Sequence, residues 1–177
     1  MTSPTKSSFE KTILVISDIH LGAGELVNGK RNLLEDFHYD KELIEFLDYY
    51  SSGIYGKNEV ELIINGDFLD FLAVPFVNYF DDEFWSEEAA LEKLKIILDA
   101  HKGVIDALIK FISQQKKKII YIVGNHDGEF LFESMRDFFI DLFPKKSRKN
   151  ILFRFEKDGE YSPNPGIVIK HGHEYEI

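Results

Sequence analysis

The chain has no cysteine. This excludes a disulfide framework and any thiolate metal site, so a metal held here must sit on oxygen and nitrogen ligands. It also lacks an apolar run of the ~18 residues that a membrane helix needs. Residues 1–11 are polar and contain no apolar core of a secretion signal. A soluble, cytoplasmic protein is therefore expected. Positive charge is in deficit, with 21 Lys and Arg against 31 Asp and Glu and a formal net charge of −10. Sequence-independent nucleic-acid binding depends on Lys and Arg at phosphates, so nucleic acid is not an expected partner. A phosphate-bearing substrate is not excluded, because bound divalent cations reverse the local sign of the field. Internal repeats and low-complexity segments are absent as well.

What is present is a globular composition, 44% hydrophobic, with 16 Phe among 177 residues. That size predicts one domain over 1–177 with a sizeable core, behind a flexible N-terminal stretch at 1–11. Short runs rich in β-branched residues predict strands at 12–17, 60–65, 119–123, 151–155 and 166–170. Apolar residues at helical spacing predict helices over about 36–50, 86–114 and 128–143, with Gly103 as a break in the second and Pro144 ending the third. Lys116, Lys117 and Lys118 then charge the exit of the second helix, and Asp158-Gly159 signals a hairpin. The segment 71–114 opens on a Phe-rich stretch, 71–85, that is either a cap or pocket wall or plain packing beneath a loop.

Chemistry gathers at the ends of the strands. The first runs into Asp18-Ile19-His20, where residues two apart on extended chain face one side. The second runs into Gly66-Asp67, with Asp70 left as a supporting or surface residue. The third ends in Gly124-Asn125-His126-Asp127, and the last in His171-Gly172-His173. A strand-to-loop turn explains any one of these alone. Together they spend four of six histidines at strand tips, where open α/β sheets bind ligands. Carboxylate, imidazole and amide together suit Mn, Fe or Zn. One carboxylate shared by two cations would place them ~3.5–4 Å apart, the spacing of two-metal phosphoester sites. His38 and His101 read as surface or packing residues.

The order Asp-x-His, Gly-Asp, Gly-Asn-His-Asp, His resembles the calcineurin-like metallophosphoesterases, from Asp18 to His171. The resemblance implies an α/β (α+β) fold built on a β-sandwich flanked by helices. It implies Asp18 and His20 on one divalent metal, Asp67 bridging, and Asn125 and His171 on the second. Mn is favoured, with Fe or Zn as alternatives. It further implies His126 as the catalytic histidine, oriented by Asp127. Two metals would activate a hydroxide that attacks a phosphoester or pyrophosphate bond of a phosphorylated small molecule or nucleotide-type substrate. Ser-Asp-Ile-His-Leu-Gly and His-Gly-His-Glu-Tyr resemble the branch that includes the UDP-diacylglucosamine pyrophosphohydrolases, although that branch carries Asn-Arg-Asp where this chain has Asn125-His126-Asp127. The family's last motif, Gly-His-x-His, is absent, with His173 the candidate to fill the vacant position. The expectation is a fold incomplete at the C-terminus, in a fragment of a longer protein or a divergent short form. Weak metal binding, slow turnover and self-association through an open sheet edge would follow. The rival readings are a non-catalytic scaffold domain that keeps the fold and a DNA-processing nuclease of the same superfamily.

Overall fold

The computed structural model describes residues 11–74, 86–155 and 159–175. The apolar, β-branched runs form strands: β1 (Lys11–Ile16), β4 (Glu59–Asn65), β5 (Lys117–Ile122) and β6 (Ile151–Arg154). They make one parallel sheet in the order β1-β4-β5-β6. Parallel strands need crossovers, and helices α1 (Asp40–Ser51), α2 (Glu87–Ala100), α3 (Lys102–Ser113) and α4 (Glu133–Asp141) supply them. Between β1 and α1 the loop carries a small hairpin, β2 (Leu26–Val27) with β3 (Lys30–Arg31). Asn28 and Gly29 turn it with φ of 51° and 73°, as a two-residue loop of this hand requires. No helix among the described residues is long and apolar enough to cross a membrane.

Alternation along each strand sorts the sheet into two unequal faces. Leu14, Leu62, Ile64, Ile119, Tyr121 and Ile151 join the large core beneath the helices. Each fully buried large side chain there contributes ~1.5–3 kcal/mol of transfer free energy. The other face has a smaller cluster, Ile63, Ile120 and Ile122, with Tyr161 and Ile169 packed on it. Those two come from an antiparallel ribbon, β7 (Glu160–Tyr161) with β8 (Ile169–Lys170). The molecule is thus a mixed α/β fold with a helix-flanked parallel sheet and a ribbon on its second face.

Four details depart from the sequence reading. The run at 166–170 contributes only β8, which pairs with β7 and not with the parallel sheet; β6 takes the fourth sheet position. The turn signal Asp158-Gly159 lies partly outside the described residues, and Glu160 and Tyr161 pair with β8, not β6. The long helix breaks at His101, not Gly103, because His101 ends α2 through its N–H to Ile97 O and starts α3. Lys117 does not charge a helix exit. It is buried inside β5, where its Nζ donates to the carbonyls of Tyr55, Asn58 and Gln115 at 2.9, 3.0 and 3.1 Å. Of the Phe-rich stretch, Phe71 packs in the core 6.0 Å from Phe130, while 75–85 lies outside the described residues, as do 1–10.

Candidate metal centre

The ends of β1 and β4 do not separate once the sheet stops. Their loops stay bonded: Asp18 N donates to Gly66 O at 3.2 Å, His20 N to Asp67 O at 2.9 Å and Leu21 N to Phe68 O at 3.0 Å. Asp70 N returns to Leu21 O at 2.8 Å, and Phe71 N reaches His126 O at 3.2 Å in the third loop. Interlocking of this kind holds Asp18, His20 and Asp67 at φ of 56°, 55° and 51°. That left-handed region is sparsely used by residues with a Cβ.

Asp67 sits at the middle, 3% exposed. Its Oδ1 accepts His126 N at 2.9 Å. Its Oδ2 lies 3.3 Å from His171 Nε2 and 3.8 Å from His20 Nε2. Two groups form around it, His20 with Asp67 and His126, and Asp18 with Asp67 and His171; the ligand atoms within each lie within 4.8 Å of one another. Asn125 Oδ1 is 3.1 Å from His171 Nε2. Six of the residues singled out by sequence therefore converge. The partition differs from the one the resemblance implied: Asp18 groups with His171, and His20 with His126. His173 is exposed, its ring 5.3 Å from that of His171, and neither group includes it.

Two glycines make room. A Cβ on Gly66 would collide with the His171 imidazole, and one on Gly124 with the Asp67 carboxylate. His171 Nδ1 faces Asn65 O at 2.9 Å, an oxygen that can only accept, so that nitrogen donates and Nε2 is the ring atom turned toward Asp67 and Asn125. Asn65 itself ties the ends together, its Nδ2 donating to Lys170 O at 3.2 Å and its backbone carbonyl accepting Ser17 Oγ at 2.9 Å.

Asp127 and Asp70 exchange the roles that the sequence reading gave them. Asp127 does not orient His126. Its fully buried carboxylate accepts Gly124 N at 2.6 Å, Phe68 N at 3.0 Å and the Tyr121 hydroxyl at 2.7 Å. Burial lifts the Asp127 carboxyl above the ordinary range despite these donors, and burial beside that carboxylate pushes the Tyr121 phenol well up. Asp70 is the residue beside the ring. Its Oδ2 lies 3.1 Å from His126 Nδ1 and 3.1 Å from His20 Nδ1, and its Oδ1 accepts Leu72 N and Ala73 N at 2.9 and 3.0 Å. Burial disfavours a charged His126, but the bond and charge of Asp70 and the charges of Asp67 and Asp127 outweigh it, so its imidazole is held above the ordinary value. The signal that could have found Asp70 is its spacing of three from Asp67, within one loop.

The donor set fits divalent cations. Two carboxylates and the free imidazole nitrogens face one another, no Lys or Arg among the described residues pairs with Asp18 or Asp67, and every donor is oxygen or nitrogen. The calcineurin-like phosphoesterase family model matches residues 11–177. No curated protein and no solved structure matches the chain.

Proposed function

The chain belongs to the calcineurin-like phosphoesterases, hydrolases that act on phosphoesters, and we propose that it cleaves a phosphoester or pyrophosphate bond of a phosphorylated small molecule or nucleotide-type substrate. The observation that carries this reading is the pair of ligand groups sharing Asp67. Asp18, Asp67 and His171, joined by the Asn125 amide oxygen, would hold one divalent cation, and His20 and Asp67 the other; Mn is favoured over Fe or Zn. Such cations supply Lewis-acid polarisation of the phosphoryl oxygens and lower the pKa of water.

The chain's own groups do the rest. His171 presents Nε2 because Asn65 O holds the proton at Nδ1. His20 presents Nε2 in the same way, its Nδ1 facing Asp70 Oδ2. His126 has Nδ1 against Asp70 and Nε2 left over, from which a proton can reach the leaving oxygen. Asp67 Oδ1 fixes the His126 backbone, so one carboxylate sets both the cation positions and the acid.

The test is a pair of variants assayed with Mn on 4-nitrophenyl phosphate. His126→Ala should lower kcat by ~10²–10⁴-fold, the usual worth of a general acid, with metal content by elemental analysis unchanged. Asp67→Ala should lose both metal and activity. Metal stripped by His126→Ala but retained by Asp67→Ala would overturn the assignment.

A further inference from the structure

The loop from Glu25 to His38 encloses a cavity of about 330 Å³, within the size range of small-ligand pockets. The acidic groups in its wall are already engaged. Glu25 Oε1 lies 3.0 Å from His38 Nδ1. The Glu35 carboxylate accepts Gly22 N at 3.2 Å and Gly24 N at 2.6 Å, and it lies 3.4 Å from His101 Nε2. Arg31 lines the same cavity and pairs with no carboxylate among the described residues. Arg31, exposed in β3, is the one guanidinium among the residues that line this cavity. It offers five N–H donors in a fork that matches phosphate or carboxylate. Leu26 and Leu33 complete the wall, 68% and 81% exposed. These two side chains offer apolar surface to a ligand seated in the cavity. The cavity is tied to the loop that carries His20, since its Glu35 accepts Gly22 N, and Gly22 follows His20 by two residues, a backbone reach of at most ~7 Å.

We propose that this cavity is the subsite for the part of the substrate beyond the transferred phosphate. It takes an oxyanion group on an apolar body, the anion on Arg31 and the body on Leu26 and Leu33. The subsite role rests on the phosphoesterase reading; occupancy of the cavity does not.

Two measurements separate these. First, leucine-methyl NMR on the full, metal-free chain follows titration with octyl phosphate, octanoate and inorganic phosphate. Octyl phosphate and octanoate should give saturable shifts at Leu26 and Leu33, with inorganic phosphate far weaker. Arg31→Gln should weaken both amphiphiles by ~10-fold, the worth of a charge-assisted hydrogen bond, while core methyls such as Leu62 and Leu94 report an intact fold. Absence of saturable shifts at Leu26 and Leu33, or shifts indifferent to Arg31→Gln, overturns the proposal. Second, the Mn-loaded chain is assayed on 1,8-octanediol bisphosphate and 4-nitrophenyl phosphate. Arg31→Gln should raise KM ~10-fold for the bisphosphate alone, with kcat unchanged for both. Equal effects on the two substrates overturn the subsite role. If neither is hydrolysed while the methyl shifts persist, the phosphoesterase reading and the subsite role fall and the anion cavity stands.

Discussion

Asp18, His20 and Asp67 share one backbone peculiarity, φ between 51° and 56°. Each non-glycine residue held there costs ~1–3 kcal/mol, although Asp and His tolerate it better than most. The conformation persists because the loop-to-loop hydrogen bonds at Gly66 O and Asp67 O leave the chain no alternative. It also turns two carboxylates and an imidazole toward one point. The same economy of position makes Asp70 consequential, since one oxygen faces the Nδ1 atoms of His20 and His126. Asp70→Asn keeps the shape and removes the charge. It should lower kcat by ~10–100-fold, the usual effect of disturbing a group that orients a metal ligand. The basic limb of the kcat–pH profile should move to lower pH, because Asp70 is the leading one of the three carboxylates that raise His126. An unchanged profile in Asp70→Asn would show that another group orients the ring. Asp127→Asn should instead unfold the protein more readily in denaturant, because a buried carboxylate with three donors is lost. The ligand-type residues were legible in sequence because each follows a strand-like run. The exchange between Asp127 and Asp70 was not, because it depends on which way a side chain turns from a loop.

At the scale of elements, periodicity located the helices but not the break between α2 and α3. Glycine is the default breaker, yet the chain breaks two residues earlier, at a histidine held by two carboxylates. His101 is 4% exposed. Its Nδ1 lies 2.8 Å from Asp40 Oδ1 at the start of α1, and its Nε2 faces Glu35 of the preceding loop. Burial alone would pull the imidazole down, but Glu35 and Asp40 outweigh it and its pKa is raised above 6.5. Glu35 is lowered below 4.5; burial opposes this and the bonds from His101, Gly24 and Gly22 prevail. A group whose folded pKa is raised contributes stability fully below its unfolded value and loses it as pH rises through the folded one. For Glu35 the contribution holds above the unfolded value and fades as pH falls through the folded one. The clip between the 22–35 loop, α1 and the α2–α3 junction is therefore strongest between these limits. The unfolding free energy lost in His101→Gln should be larger at pH 6 than at pH 8.5, measured by urea titration at both. A loss independent of pH would mean that the ring acts by packing alone. Sequence assigned His101 to packing because its partners lie 61 and 66 positions away, a separation that no local pattern encodes.

The whole molecule is asymmetric about its sheet. One face carries the helices and most of the core; on the other, three buried isoleucines lie beneath a ribbon of two short strands. The sequence reading had four strands deliver the site without assigning them to sheets. In the structure three parallel strands deliver Asp18, Asp67 and His126, while His171 arrives from the ribbon on the opposite face, so the centre joins the two layers. Hydrophobic runs mark strands without stating which sheet they enter, and that is why the ribbon was not legible. The arrangement leaves β1 as an outer strand, and among the described residues no strand pairs with its free edge. Val15 is 49% exposed on it, and the six-residue strand is the longest edge the described chain presents. A free, apolar parallel edge offers unpaired N–H and C=O groups to a second chain, and lysine on such an edge is a common device against that pairing. Lys11 cannot serve, because its Nζ is taken up by Glu61 at 3.2 Å. The chain should therefore associate as its concentration rises, and Val15→Lys should sediment as a monomer across the same range with an unchanged far-ultraviolet dichroism spectrum. A wild-type chain that sediments as a monomer throughout would show that the β1 edge is closed, and association in Val15→Lys equal to wild type would place the contact on another surface.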